Sequence, residues 1–344
     1  MAVASRVTIV DLAHQLGVSR QTISNVLNAP HRVKEETRIR VAKAIEESGY
    51  RPNSAARQLR NHISKNVGMR LHPAGNGISG TVLTGFLYGL TQAAHSHGYR
   101  VTLYCADSDE EEISRYEELL TEADLDGFIL TATHQDDQRA AWLAERGIPF
   151  VAFGRPWNSG TGVHQASHSW VDVDGRSGTR DATEHLLAAG HRKIGFIGWP
   201  NGSGVGGDRR AGWFDAMAAH AGTEGLESLT YFGEDTAAGG SSGAAYLLGQ
   251  GATAFVCAGD GLALGASAYL RQSNQPALAS SVIGFDNTPV AAAVGLSSVS
   301  QPVESAAAEV MRLLIGHLNS PTAEPQHVLL RPQLELRDLQ PFNH

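Results

Sequence analysis

Between Ser19 and Asn25 the chain reads Ser-Arg-Gln-Thr-Ile-Ser-Asn, and in a helix this run separates two kinds of side chain. Ile23, with Val26 and Leu27, takes the apolar face, which leaves Arg20, Gln21, Ser24 and Asn25 free. Gln21 and Asn25 are four apart and share a face. Arginine suits the O6/N7 edge of guanine, and Gln and Asn suit N6/N7 of adenine, both in the major groove of DNA. Ser19, Thr22 and Ser24 bring short hydroxyls near a helix N-terminus, which is the chemistry of phosphate contact. A merely polar helix face is the bland alternative.

The flanking residues supply what such a helix needs. Thr8 with Asp11 resembles a capping box for a first helix whose inner stripe is Leu12, Ala13 and Leu16. Gly17 permits a tight turn, and Ser19 is a good N-cap for a second helix running through Leu27. A third helix is expected over Lys34–Ser48, with Ile39, Val41, Ala42 and Ile45 apolar and Gly49 as its stop. A helix-turn-helix requires a small residue where its helices cross, a turn glycine and an apolar anchor on the second helix. Ala13, Gly17 and Ile23 stand at those places.

Charge points the same way. Residues 1–65 hold 11 Lys and Arg against 5 Asp and Glu, a net +6, whereas the remainder is −14. A basic head on an acidic body directs one end of the molecule to a polyanion. The 344 residues suit two or three domains, and 42% apolar with 18% charged residues is ordinary for a soluble globular chain. Nothing approaches a membrane span, and Asp11 and His14 interrupt any apolar run of a signal peptide, so a cytoplasmic location is expected. Cys105 and Cys257 lie in separate strand-like segments and suggest no disulfide framework.

From Asn66 onward, short apolar segments alternate with amphipathic ones. Strands are expected at Val67–Leu71, Val101–Cys105, Gly127–Leu130, Phe150–Phe153, Trp170–Val173, Ile194–Gly198, Ala254–Cys257 and Val282–Phe285. Helices such as Leu83–His97, Glu111–Ala123, Gly178–Ala189 and Arg209–Ala221 separate them. That alternation implies parallel, doubly wound sheets, and its length implies two lobes facing across a cleft. Ligands in such sheets bind beyond the carboxyl ends of strands. The rule selects Thr133, Arg155, Gly259-Asp260 and Asp286, with Arg209 after the loop that follows Ile194–Gly198. Arg and Asp suit a polyol, whose hydroxyls both donate and accept. Trp157, Trp170 and Trp199 are candidates to stack on a sugar face.

Two decoys deserve weighing. Gly202-Ser203-Gly204-Val205-Gly206-Gly207 fits G-x-G-x-x-G, which raises an NAD-dependent oxidoreductase as a rival. The loop from Trp199 to Gly207 reads as too long for that fingerprint, and the strand before it is mid-chain. His164 and His168 are four apart but have no third ligand nearby, so they read as surface histidines rather than a metal site. No nucleophile–base pair stands out. No catalytic residue, metal or cofactor is therefore expected, and the remaining rival is a sugar-binding protein without a DNA role.

Residues 7–60, VTIVDLAHQLGVSRQTISNVLNAPHRVKEETRIRVAKAIEESGYRPNSAARQLR, resemble the head of the lac-repressor/galactose-repressor family of bacterial transcription regulators. The resemblance continues through VDVDGRSGTRDATEHLLAAGHRKIGFIG (171–198), DRRAGWFDAM (208–217), CAGDGLALGA (257–266) and VIGFDN (282–287). It implies an all-α helix-turn-helix head (residues 1–52), a hinge helix and linker (53–65) and a periplasmic-binding-protein-like α/β body of two doubly wound lobes (66–344). The first lobe is expected at about 66–172 plus 299–330, and the second at about 173–298 plus 331–344. It also implies a homodimer on a palindromic double-stranded operator, controlled by a small-molecule effector, a mono- or oligosaccharide. Candidate DNA contacts are Thr8, Ser19, Arg20, Gln21, Thr22, Ser24, Asn25, Asn53, Arg57 and Leu59, the last aligning with a leucine that wedges into the minor groove. Thr133, Arg209 and Asp286 match the family's effector-contacting positions, and Arg155 and Asp260 complete the candidate set. Gly259 departs from the family, whose members often carry Asn there, and the glycine-rich loop 72–81 lacks the usual aromatics.

Overall fold

The structure, a computed structural model, describes residues 7–28, 30–48, 50, 63–71, 80–157, 167–200, 203–320 and 322–337. The chain divides into two compact units, residues 1–64 and 65–344. Asn53, Arg57 and Leu59 of the expected hinge helix, most of loop 72–81, and His164 lie outside the described residues.

The first unit is built on three helices, α1 (Ile9–Leu16), α2 (Arg20–Asn28) and α3 (Glu35–Ser48). Thr8 and Asp11 form the expected capping box, and Gly17 ends α1 in the left-handed conformation at φ 62°. Helix α2 starts where the Ser19 hydroxyl accepts from the Thr22 N–H at 3.0 Å. Leu12, Ile23 and Val41, one from each helix, are fully buried against one another. The phase of α3 differs from expectation: Val41, Ala44 and Ile45 face inward, while Ala42 and Ile39, the latter 59% exposed, face out.

The second unit holds two six-stranded sheets. The first contains β1 (Asn66–Arg70), β2 (Arg100–Tyr104), β3 (Gly127–Leu130), β4 (Phe150–Phe153), β5 (Trp170–Val173) and β11 (His327–Leu330). The second contains β6 (Ile194–Gly198), β7 (Thr230–Phe232), β8 (Ala254–Cys257), β9 (Val282–Phe285), β10 (Ser297–Ser300) and β12 (Gln333–Glu335). The orders are β2-β1-β3-β4-β5-β11 and β7-β6-β8-β9-β10-β12, parallel throughout except for β12 against β10. Each order reverses once, between β1 and β3 and between β6 and β8, and such switch points are where ligands settle. Among the described residues, helices cover the faces: α4 (Thr81–Ser96), α5 (Asp109–Thr121), α6 (Gln138–Glu145), α7 (Gly175–Ala188), α8 (Gly204–Ala221), α9 (Ala237–Gly249), α10 (Asp260–Gln272), the short α11 (Pro289–Ala293) and α12 (Val303–Asn319).

The chain crosses between the sheets after β5, after β10 and between β11 and β12. Val173 pairs with Leu330 in the first sheet, and Val299 with Phe285 in the second, so the first two crossings fall one or two residues later than the expected 172/173 and 298/299. The fully apolar strands lie where the sequence predicted them. Strand β10 did not announce itself because Ser-Ser-Val-Ser lacks apolar character; its buried Ser298 hydroxyl is satisfied internally by the Asp260 carboxylate. His168 is no surface histidine: its ring lies 5.2 Å from that of Phe150, and burial pulls its pKa down to about 4. A neutral native histidine stabilises the fold above its ordinary value of 6.5 and loses that contribution as pH falls toward 4. The melting temperature is expected to fall over that range, and His168→Gln to flatten the slope in a pH-resolved thermal melt; an unchanged slope would contradict the assignment.

Candidate functional site

Ser19, just before α2, and Arg20 and Gln21 in its first turn are exposed, with Thr22 and Asn25 half-exposed. The Gln21 amide donates to Asn25 Oδ1 at 2.9 Å, so the two amides form one hydrogen-bonded pair on the outer face. Ser19 and Thr22 hydroxyls are bonded to each other at 2.9 Å beside the helix N-terminus, where the dipole favours an anion. Thr8 is already occupied, its hydroxyl donating to Asp11 at 2.7 Å. Ser24 is not free as expected: it is 9% exposed, because α2 packs against both α1 and α3 and so buries more than the Ile23 stripe.

In the second unit a cleft of about 160 Å³ opens between the carboxyl edges of the two sheets. Val82, Leu83, Phe153, Trp157, Val205 and Phe285 give it apolar walls, and Thr133, Asp172, Asp208, Arg209 and Gln301 give it polar ones. Thr133 donates to the Arg155 carbonyl at 3.0 Å. That approach requires Gly154, at φ 120°, since a Cβ there would stand 2.2 Å from the Thr133 hydroxyl. Arg155 itself does not line the cleft. Its Nε donates to Asp172 at 2.6 Å and its Nη2 to Asp208 at 2.9 Å, so it ties the first sheet to α8 of the second lobe. Burial works against the Arg155 charge, but these carboxylates outweigh it and raise its pKa.

Arg209 is 5% exposed, with its guanidinium carbon 3.7 Å from the centroid of the Phe285 ring and 5.0 Å from that of Trp199. Its Nη1 donates to the Ala258 carbonyl and to Asp286 at 3.4 Å, and its Nε has no partner among the described residues. Gly175 makes room, because a Cβ there would meet the Arg209 stem at 3.1 Å. Asp286 also accepts from Gln301 at 2.6 Å, and burial pushes its pKa up to about 7 despite the neighbouring guanidinium. Asp260 is turned away from the cleft: its carboxylate accepts from the Thr288 N–H at 2.7 Å and the Ser298 hydroxyl at 2.6 Å, fixing the loop that carries Asp286. Trp170 is 1% exposed and stacks on His327 in the core, so it has no place in the cleft either. Asp208 and Gln301 were missed by the sequence reading. Gln301 follows β10, so the carboxyl-edge rule would have found it had that strand been legible.

The glycine-rich decoy resolves differently from expectation. Gly204, Gly206 and Gly207 belong to the first turns of α8, capped by Ser203, so the preceding loop is short rather than long. A Cβ on Gly204 would collide with the Trp157 ring at 2.2 Å, which places an indole where a dinucleotide phosphate would approach. Among the described residues Asp109, His134 and Asp137 stand at metal-ligand spacing. Arg70 and Arg139 already pair with both carboxylates, at 3.1 and 2.7 Å. With Glu112 these charges form a buried network, and Arg139 anchors the Thr131 carbonyl two residues before Thr133.

A helix-turn-helix unit followed by a two-lobed α/β unit with a polar cleft defines a helix-turn-helix transcriptional regulator with a binding-protein-like body. The family profile of bacterial regulatory proteins of the lacI family matches residues 8–53, and that of a periplasmic-binding-protein-like domain matches residues 183–338. The regulator CelR of Thermobifida fusca is 32% identical over 341 residues, 97% of this chain and 98% of CelR. RegA of Clostridium saccharobutylicum is 31% identical, covering 95% and 98%. The solved complex of CelR with cellobiose, 31% identical, has a TM-score of 0.68 over 96% of this chain and 99% of that one. The operator-bound lac repressor dimer shares the fold, with a TM-score of 0.80 at 24% identity over 97% and 98% of the two chains. The chain belongs to the lacI family of bacterial transcriptional regulators, and it is not an enzyme.

The Asp260 geometry carries a prediction. Asp260→Ala leaves the Thr288 N–H and the Ser298 hydroxyl buried and unpaired, at a cost of about 2–4 kcal/mol. Urea denaturation is expected to show a lower midpoint at unchanged slope. A variant as stable as the parent would place Asp260 elsewhere.

Proposed function

We propose that this protein is a cytoplasmic repressor that binds a palindromic operator as a homodimer and is controlled by a sugar in the cleft between its lobes. The observation that carries the effector reading is that Arg209 and Gln301 line the same cleft as Thr133 and are held together by Asp286 behind its wall, at the carboxyl edges of the two sheets. Such donors and acceptors match adjacent hydroxyls, and the cellobiose bound by the CelR relative supports a saccharide. No helix of the described residues is long and apolar enough to cross a membrane.

On DNA, Arg20, Gln21 and Asn25 read base edges and Ser19 and Thr22 contact phosphates, while Thr8, whose hydroxyl and N–H both donate to Asp11, caps α1. Asn53, Arg57 and Leu59 contribute hinge contacts, with Leu59 as the minor-groove wedge. The cleft is smaller than the roughly 300 Å³ at the lower end of ligand pockets, so a sugar must part the lobes to enter. Parting them strains the Arg155–Asp208 ion pair, and the lobe rotation is passed to the hinge.

Arg20→Ala is expected to cost about 1–3 kcal/mol and relax preference at one half-site position. Operator affinity of the parent should fall roughly 10³–10⁵-fold between 50 and 200 mM salt if six to ten phosphates are contacted. Fluorescence anisotropy on a selected palindrome measures both, and an unchanged motif in the variant would count against the reading helix. Arg209→Ala and Asp286→Ala should abolish the effector response while leaving operator binding intact. Because the free Asp286 titrates near 7 and a sugar needs its ionised form, effector affinity should fall as pH drops below about 7. Calorimetry between pH 5.5 and 8 tests this, and a flat profile would remove Asp286 from the contact set.

A further inference from the structure

Beyond the main cleft, four loops at the carboxyl edge of the second sheet converge: Trp199 follows β6, Asp235 follows β7, Gly259 follows β8 and Asp286 follows β9. A side chain at position 259 would begin 3.3 Å from Asp235 Oδ1, 3.5 Å from the Trp199 ring and 3.8 Å from Asp286 Oδ2. Glycine leaves that space open. Asp235 Oδ1 and Trp199 Nε1 are both buried and have no hydrogen-bond partner among the described residues. A buried acceptor and a buried donor left unmade around one space each carry a desolvation penalty, and native structures tolerate few of them. The other oxygen of Asp286 accepts from Arg209 and Gln301, which line the main cleft, so Asp286 joins the two spaces.

The chemistry of the space is specific. A hydroxyl both donates and accepts, so it answers Asp235 and Trp199 at once, whereas an ammonium answers only the carboxylates. A phosphoryl group adds about 1.5 to 2 negative charges at neutral pH. It would face the unpaired Asp235 Oδ1 and Asp286 here, and no spare cation stands by among the described residues of the cleft, since Arg209 already faces Asp286 and Arg155 is held by Asp172 and Asp208. We propose that Asp235, Trp199 and Asp286 around Gly259 form a hydroxyl-selecting subsite that takes an unmodified diol end of the effector and rejects its phosphorylated counterpart. This rests on the sugar reading above and narrows it to neutral saccharides.

The test is isothermal titration calorimetry on the full chain with glucose, cellobiose and other unmodified hexoses and disaccharides, alongside glucose 6-phosphate and cellobiose 6-phosphate. An unmodified sugar is expected to bind, with its 6-phosphate at least about 100-fold weaker. Asp235→Asn should lower the affinity for that sugar about 10-fold or more with no loss of melting temperature, since the carboxylate oxygen it replaces is unpaired. Gly259→Asn, which fills the space, should lower it comparably while operator affinity persists. Equal binding of sugar and phosphate, or wild-type affinity in Asp235→Asn, would overturn the subsite and leave the sugar reading standing. A panel in which no unmodified sugar binds would overturn both.

Discussion

The pair on which the arrangement turns is Arg155 with Asp208. A guanidinium from the loop after β4 reaches across to the first turns of α8 and joins the two lobes over the cleft. Asp172 holds the same guanidinium from within its own lobe, so the group cannot swing free when the lobes move. Buried pairs of this kind contribute little net stability, but removing one partner costs about 3–5 kcal/mol because the other charge stays behind. The pair is therefore suited to fixing a geometry, and here it fixes how closely the lobes stand over the cleft.

The remaining site residues are arranged around that spacing. Gly154 lets Thr133 lie against the backbone beside Arg155, and Gly175 lets Arg209 lie flat between Phe285 and Trp199. Beneath Thr133, the network of Arg70, Arg139, Asp109, Glu112 and Asp137 holds the loop from inside. Beneath Asp286, the Asp260 carboxylate does the same work through Thr288 and Ser298. Thr133 and Asp286 thus each rest on a buried, hydrogen-bonded polar anchor, which is what a preorganised site requires. An effector that enters has little side-chain ordering to complete, so its binding energy is available for changing the distance between lobes.

Much of this was legible in the residues. Apolar runs such as Phe150–Phe153 and Ala254–Cys257, alternating with helices, read as buried parallel strands, and the carboxyl-edge rule then led to Thr133 and Arg209 at the cleft, to Asp286 bonded behind Arg209, and to Arg155 and Asp260, which do not line it. Legibility ended where polarity was satisfied internally. Ser297–Ser300 is a strand in spite of its hydroxyls, and missing it also hid Gln301. Ser24 looked exposed because a three-helix unit buries a wider arc of α2 than a single apolar stripe suggests. Asp260 follows a strand at the cleft as Asp286 does, yet its carboxylate turns inward, a difference set by which partners face it and not by its position. The glycines after Ser203 read as loop, whereas a good N-cap and close contact with Trp157 make them helix.

The central claim is that cleft and operator are two sites coupled through lobe spacing, and coupling of this kind is reciprocal. The direct measurement is the affinity of the full-length protein for its effector, taken by calorimetry with and without saturating operator duplex. The account predicts that operator changes effector affinity by the same factor by which effector changes operator affinity, on the order of 5–150-fold. Identical effector affinity in the presence and absence of operator would contradict it.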